Sequence, residues 1–167
     1  MDKPVILKIE KIIDENPNVK TFYFNHALLS QPGQFVMLWV PGVDQKPFSI
    51  SSDDGKTFGL TVFKRGPLTE KLFSLSVGDK VGVSGPYCTT FTQKPNTHYI
   101  MVAGGYGAAP LAFLTDKLSS LSQVTVDFLA GARDAKNLLF EKRLGSMPNV
   151  KLHIFTNDGS ADRKSVV

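Results

Sequence analysis

Hydrophobic and polar positions divide the chain into two regimes. In the first, short apolar runs alternate with turn residues. "PVILKIEKII" alternates through its first part, "NVKTFYFNH" includes the Asn of a Pro-Asn pair, and "GQFVMLWVPG" is a compact apolar stretch closed by Pro-Gly. "PFSISS" and "FGLTVFKRG" flank "DDGK", whose Asp-Gly pair is a hairpin signal, with Asp53 and Asp54 expected to be solvated in the turn. "DKVGVSGPY" then follows the turn "SVGD". Six short strands at this spacing predict a closed antiparallel barrel or a sandwich. One helix interrupts them over "EKLFSL", with Thr69 positioned to cap it and Leu72, Phe73 and Leu75 giving it an apolar face.

The period changes after "TQKPNT", residues 92–97, a polar, proline-containing stretch that reads as a linker. Beyond it, "HYIMVAGG" is a nearly continuous apolar strand and "APLAFLTDKLSSL" an amphipathic helix. "VTVDFLAGA" reads as a second strand, "KNLLFEKRLGS" as a second helix ending near Gly145, and "VKLHIFTND" as a third strand. Apolar strands alternating with helices predict a parallel sheet with crossover helices. The pattern therefore divides the chain into a barrel over residues 1–94 and a partial α/β domain over 95–167. A sheet of only three strands has a small core and an open flank, so either a partner or further sequence is expected to cover it.

Composition narrows the functional classes. The 42% hydrophobic and 20% charged residues are those of a globular chain, not a disordered one. No apolar run is long enough to span a bilayer and the start lacks the segments of a signal peptide, so a cytoplasmic location is expected. The net charge of +4 is dispersed and forms no Lys/Arg stripe, which disfavours nucleic acid and suits a phosphate-bearing cofactor or an acidic partner surface. Cys88 is the single cysteine, so a disulfide within the chain is excluded and a thiolate-held cluster lacks ligands.

Four stretches could carry chemistry. Gly105-Tyr106-Gly107, between a strand and a helix, opens a dinucleotide fingerprint, with Pro110 where the third glycine would stand. Such a loop lets the backbone approach a pyrophosphate at a helix N-terminus, but by itself it is equally a tight strand-to-helix corner. In "QKPFSIS", Lys46 could meet a phosphate, Phe48 lie against a flat ring and Ser49 bond a ring nitrogen, or all could be half-buried strand residues. "GPLT" at 66–69 leads into a helix, either as a capping turn or as an anion site. His26, His98 and His153 lack metal spacing and read as surface or satisfied histidines, and Cys88, without a nearby base, reads as a buried inert thiol. No Ser-His-Asp arrangement is supported.

In order along the chain, "KPFS" at 46–49, "GPLT" at 66–69, "GDKVGVSGPY" at 78–87, "AGGYGAAPL" at 103–111 and "TNDGS" at 156–160 resemble the ferredoxin reductase-like flavoprotein family. The resemblance covers nearly the whole chain. It implies an antiparallel Greek-key flavin-binding barrel followed by a parallel-sheet nicotinamide-binding domain, here partial. By the same resemblance Lys46 meets a flavin phosphate, and Pro47, Phe48 and Ser49 line the isoalloxazine and ribityl region. Thr61, Val62 and Phe63 pass along the flavin, and Leu68 and Thr69 hold its pyrophosphate. Gly104, Gly105, Gly107 and Pro110 match the nicotinamide dinucleotide loop, and Asp158, Gly159 and Ser160 a later loop at its rim. Within the family the chain is most similar to electron-transfer subunits of dihydroorotate dehydrogenase, with those of sulfhydrogenases and ferredoxin-NADP oxidoreductase complexes next. The resemblance thus implies FAD, NAD or NADP, and a separate catalytic dehydrogenase subunit in a hetero-oligomer, with neither nucleic acid nor membrane as partner. Lys46 stands where the family has Arg, and the family's iron–sulfur cysteines are absent from this chain. The rival reading is an assembly module that no longer binds nicotinamide, with no residue assigned as a proton-transfer catalyst in either case.

Overall fold

The computed structural model describes residues 3–161, so positions 1–2 and 162–167 of the two expected domains lie outside the described residues. The chain separates into two compact units, divided between Phe91 and Thr92.

The first unit contains seven paired segments: β1 (Val5–Lys8), β2 (Lys11–Asn16), β3 (Val19–Asn25), β4 (Phe35–Val40), β5 (Asp44–Asp53), β6 (Thr57–Phe63) and β7 (Lys80–Tyr87). They form one sheet in the order β1-β7-β4-β5-β6-β3-β2, with every pair antiparallel. The two ends of that order are consecutive pieces of one stretch of chain. Between them, the Ile9 N–H donates to the Asp79 carbonyl at 2.9 Å and the Glu10 N–H to the Tyr23 carbonyl at 2.8 Å. The segment thus leaves β7 and joins β3 without a turn, and it closes the sheet on itself. Ile9 is the pivot, 1% exposed and part of the core. The seven pieces are therefore six strands of a barrel, which decides against a sandwich.

Alternation fills the interior. Val36, Leu38 and Val40 of β4 are buried while their neighbours are half-exposed. Phe22, Phe24, Phe58, Ile50 and Leu60 are fully buried, with the Phe24 and Phe58 rings stacked at 5.1 Å. Between β5 and β6, Asp54 takes the N–H groups of Lys56 and Thr57 at 2.8 and 2.7 Å, the local bonding that makes Asp-Gly a turn signal. Asp53, in contrast, is not solvated. It is buried, and its carboxylate accepts the Ser30 N–H and hydroxyl, both at 2.7 Å, and the Gly55 N–H at 2.8 Å.

Helix α1 (Pro67–Phe73) connects β6 to β7 and begins upstream of the expected cap. Pro67 occupies its first turn, where a missing N–H costs nothing and the ring presets φ. Thr69 lies inside the helix. Its hydroxyl accepts the N–H groups of Arg65 and Gly66 at 2.9 and 3.0 Å and donates to the Gly66 carbonyl at 2.9 Å, closing the turn from within.

The second unit is a parallel sheet of β8 (His98–Gly104), β9 (Thr125–Ala132) and β10 (Val150–Thr156) in the order β10-β9-β8. Helices α2 (Ala108–Ser119) and α3 (Glu141–Gly145) form the crossovers. Met101, Ala103, Val126, Phe128 and Ala130 are buried on one face, as are Ala112, Phe113 and Leu118 of α2 and Leu144 of α3. The opposite face is uncovered: Ile100 is 70% and Val102 73% exposed. The second helix is shorter than its sequence suggests. Leu138, Leu139 and Phe140 are consecutive, so no single helix face can bury them, and the chain passes through a 3-10 turn and an extended Leu138 before α3 starts.

Candidate functional site

In the barrel the decisive feature is where two strands part. β5 pairs with β4 from Asp44 to Ser49, but with β6 only from Ile50 to Asp53. Continued, the Ile50–Leu60 register would set Ser49 opposite Thr61 and Pro47 opposite Phe63. The ladder stops instead, so among the described residues 46–49 and 61–63 each keep one strand edge without a strand neighbour. The two stretches expected at a flavin thus border one opening. Such an edge is where backbone groups can meet a bound molecule, and Pro47, with no N–H to give, suits it.

Side chains divide by role along this opening. Lys46, Pro47 and Ser49 are exposed and Phe48 is half-buried. Thr61 and Val62 are buried, and the Thr61 hydroxyl lies 2.9 Å from that of Thr21, which donates to Glu15 at 2.6 Å. These two therefore offer the opening their backbone, not their side chains, while Phe63 is half-buried. Leu68 has its side chain in the core, and Thr69 is committed to the first turn of α1, so both present backbone as well. Lys46 is not a bare cation: its Nζ lies 2.9 Å from Oδ2 of Asp44. That bond, followed by the Gln45 N–H, holds the Asp44 carboxyl below its ordinary range. Asp44 carried no sequence signal beyond its position two residues before Lys46, on the same side of the strand.

In the second unit the candidate residues collect at the carboxyl ends of the parallel strands, where open α/β sheets bind ligands. Gly104, Gly105 and Gly107 are exposed, and a Cβ added at any of them would meet nothing within 4 Å. Internal packing does not demand these glycines. Gly105 alone has a backbone reason, a φ of +51°. Gly107 precedes α2 without a side-chain cap, and the Ala108 N–H donates to the Gly105 carbonyl, so the 3-10 turn Gly105–Gly107 runs straight into the helix and carries its positive dipole end. Pro110 sits in the first turn of α2, where its missing N–H is not needed.

After β10, the Asp158 carboxylate accepts the Ser160 N–H at 3.0 Å, and the Ser160 hydroxyl in turn accepts the Ala135 N–H at 2.8 Å. The Ser160 contacts hold the Asp158 carboxyl below its usual range. The loop Asp158–Ser160 is therefore tied to the loop after β9. β9 lies between β8 and β10, so this loop and the glycine loop are two strand spacings apart, about 10 Å.

Cys88 departs from expectation: it is exposed, not buried. The two histidines of this unit are satisfied, as expected, but by a common partner. His98 and His153 share one carboxylate on the uncovered sheet face: their Nε2 atoms lie 3.0 and 2.5 Å from Asp127, and the bond to His153 leads the effects that lower the Asp127 carboxyl pKa. Only the pairing of three strands could reveal that grouping. Among the described residues no set of three His, Cys, Asp or Glu side chains could hold a metal, and no helix is long and apolar enough to cross a membrane.

No protein-family model matches the chain. It is 41% identical over 160 residues to a protein of Methanocaldococcus jannaschii named probable dihydroorotate dehydrogenase B (NAD(+)), electron transfer subunit, a match that covers 96% of this chain and 59% of that one. A Methanocella arvoryzae protein of the same name is 38% identical, with 99% and 62% covered. The chain thus spans about three-fifths of the length of these relatives. In fold it is similar to the NADH-dependent reduced ferredoxin-NADP oxidoreductase, with a TM-score of 0.82, 23% identity, and 100% of this chain and 62% of that one covered. It is likewise similar to ferredoxin-NADP+ reductase from Plasmodium falciparum, with a TM-score of 0.81, 19% identity, and 93% and 71% covered.

Proposed function

We propose that this chain, a relative of the dihydroorotate dehydrogenase B electron transfer subunits with the fold of the ferredoxin-NADP+ reductases, is a flavin- and nicotinamide-binding part of an electron-transfer subunit. The observation that carries the reading is the parting of β5 from β6, which leaves Lys46–Ser49 and Thr61–Phe63 on the two sides of one opening. A flat ring with polar edges suits two strand edges that face no other strand. Glycines with open space where a Cβ would stand suit a dinucleotide at the head of α2 in the same way.

The chain's residues then have separate tasks. The Lys46 ammonium offsets phosphate charge as a point cation, without the two-pronged geometry of an arginine. Pro47 and Phe48 flank the ring and ribityl region, and the exposed Ser49 hydroxyl hydrogen-bonds a polar ring atom. Thr61, Val62 and Phe63 contribute backbone along the ring, and Leu68 and Thr69 contribute N–H groups to the pyrophosphate. Gly104, Gly105 and Gly107 let a nicotinamide dinucleotide approach the backbone, with Pro110 holding the turn behind them and Asp158, Gly159 and Ser160 forming the rim. Bound FAD supplies the two-electron acceptance and one-electron release that no side chain can. An iron–sulfur cluster does not fit this chain's residues, because one cysteine cannot hold it.

The relatives' name supports a separate catalytic dehydrogenase as partner and dihydroorotate as the reductant oxidised there; the setting that goes with this reading is pyrimidine synthesis in the cytoplasm. The test is the absorbance spectrum of the full chain after incubation with FAD and removal of the excess. Retained oxidised-flavin bands that bleach on addition of NADH are the expected result. Failure to retain FAD would sink the reading, and retention without bleaching by NADH or NADPH would remove its nicotinamide half.

A further inference from the structure

The contact between Asp44 and Lys46 places an acid on the cation assigned to a phosphate. The two residues are two apart on β5, so their side chains leave the strand on the same side. The carboxylate is fixed from both oxygens: Oδ1 accepts the Gln45 N–H at 2.7 Å, and Oδ2 holds the Lys46 ammonium at 2.9 Å. The lysine is the movable partner, a flexible stem ending in three rotatable donors. Both side chains are about half exposed, at 57% for Lys46 and 48% for Asp44, so water competes for the contact and it exchanges readily. Lys46 also has β4 beside it on only one edge of β5, and the other edge faces the opening.

We infer that Asp44 is a positioning residue that competes with phosphate for Lys46, and so sets how strongly the chain prefers a phosphorylated flavin to an unphosphorylated one. The inference rests on the assignment of Lys46 to the flavin phosphate. In the unliganded chain Asp44 keeps the ammonium at the mouth of the opening. An arriving phosphate must draw the ammonium away, and the carboxylate left behind repels it. Both effects act against the phosphate and neither touches the ring, so Asp44 works on the phosphate-dependent share of the affinity alone. Both fade as salt screens the charges.

The test titrates the full chain with FMN and with riboflavin, following flavin fluorescence, for the wild type, Asp44→Asn, Lys46→Gln and the double variant. Asp44→Asn is expected to tighten FMN about twofold to fivefold, the span of an exposed ion pair, and to leave riboflavin unchanged. The gain is expected to shrink at high salt and to fall in the Lys46→Gln background to the part owed to direct repulsion, because the cation for which the acid competes is gone, and an undiminished gain there would overturn the competition. If Lys46→Gln weakens FMN while Asp44→Asn leaves it unchanged or weakens it, the competition is overturned and the Lys46 assignment stands. Equal tightening of FMN and riboflavin would also overturn it, as an effect on the opening as a whole. If Lys46→Gln leaves FMN untouched, the assignment itself fails and takes the inference with it.

Discussion

Asp53 shows how one side chain can organise a stretch of chain far from it in sequence. Its carboxylate gathers the amide and hydroxyl of Ser30 and the amide of Gly55, joining the segment after β3 to the β5–β6 hairpin. Ser30 is itself buried, at 2% exposed, so its amide and hydroxyl have no ready access to water. Leaving buried donors without acceptors costs about 1–3 kcal/mol for each group, and partial relaxation lowers the sum. Asp53→Ala is therefore expected to lower stability by about 2–3 kcal/mol in urea unfolding, with Asp53→Asn milder because one acceptor oxygen remains. A loss below about 0.5 kcal/mol would mean that water replaces the carboxylate, as at an ordinary surface site. The sequence supports a turn here, since Asp-Asp-Gly bonds its own backbone well. It contains nothing that distinguishes Asp54, which stays at the surface, from Asp53, which the packing of a remote loop buries.

At the scale of elements, the join between β8 and α2 combines a geometric need with an open space. Gly107 has helical dihedrals, φ −62° and ψ −14°, and no neighbour within 4 Å of a Cβ. Alanine there should leave the fold unharmed, with a stability change within about 1 kcal/mol and in the stabilising direction if the unfolded chain loses freedom. The same methyl group would occupy the space a dinucleotide needs. Gly107→Ala is thus expected to keep the thermal midpoint while weakening NADH at least tenfold, read by titration. Unchanged NADH affinity would show that this glycine serves only the turn. Gly105 is the internal contrast, because its φ of +51° makes any side chain costly by about 1–2 kcal/mol before a ligand is considered. The glycine spacing marked this corner from sequence. The parting of β5 from β6 was not marked, because it depends on how two strands diverge after a register shift between Ile50 and Ser52.

At the scale of the whole molecule, the second unit carries an exposed apolar face. Parallel sheets are ordinarily covered on both sides. Here Ile100 and Val102, together with Phe155 at 43% exposed, stand on the side opposite the buried residues of the sheet. Threonine keeps the branched shape that a strand favours and removes apolar surface. The double change Ile100→Thr and Val102→Thr is expected to leave the unfolding midpoint nearly unchanged and to reduce self-association in light scattering. A loss of several kcal/mol would mean that this face is packed in solution.

Local order was legible in the sequence because it has local causes. Alternation at a period of two, the Asp-Gly hairpin, the proline-bounded turns and the apolar strand running into Gly-x-Gly are all properties of neighbouring residues. They were enough for six strands, then strand-helix alternation, and for the order of motifs that carried the resemblance. The tertiary structure decided what depends on residues far apart in the chain. It determined that β1 and β2 are one strand shared between β7 and β3, which makes a barrel. It also determined that 46–49 and 61–63 border one opening, and that His98 and His153 meet at Asp127. Strand partners are chosen by burial and closure over long separations, and that choice leaves no periodic mark on the sequence itself.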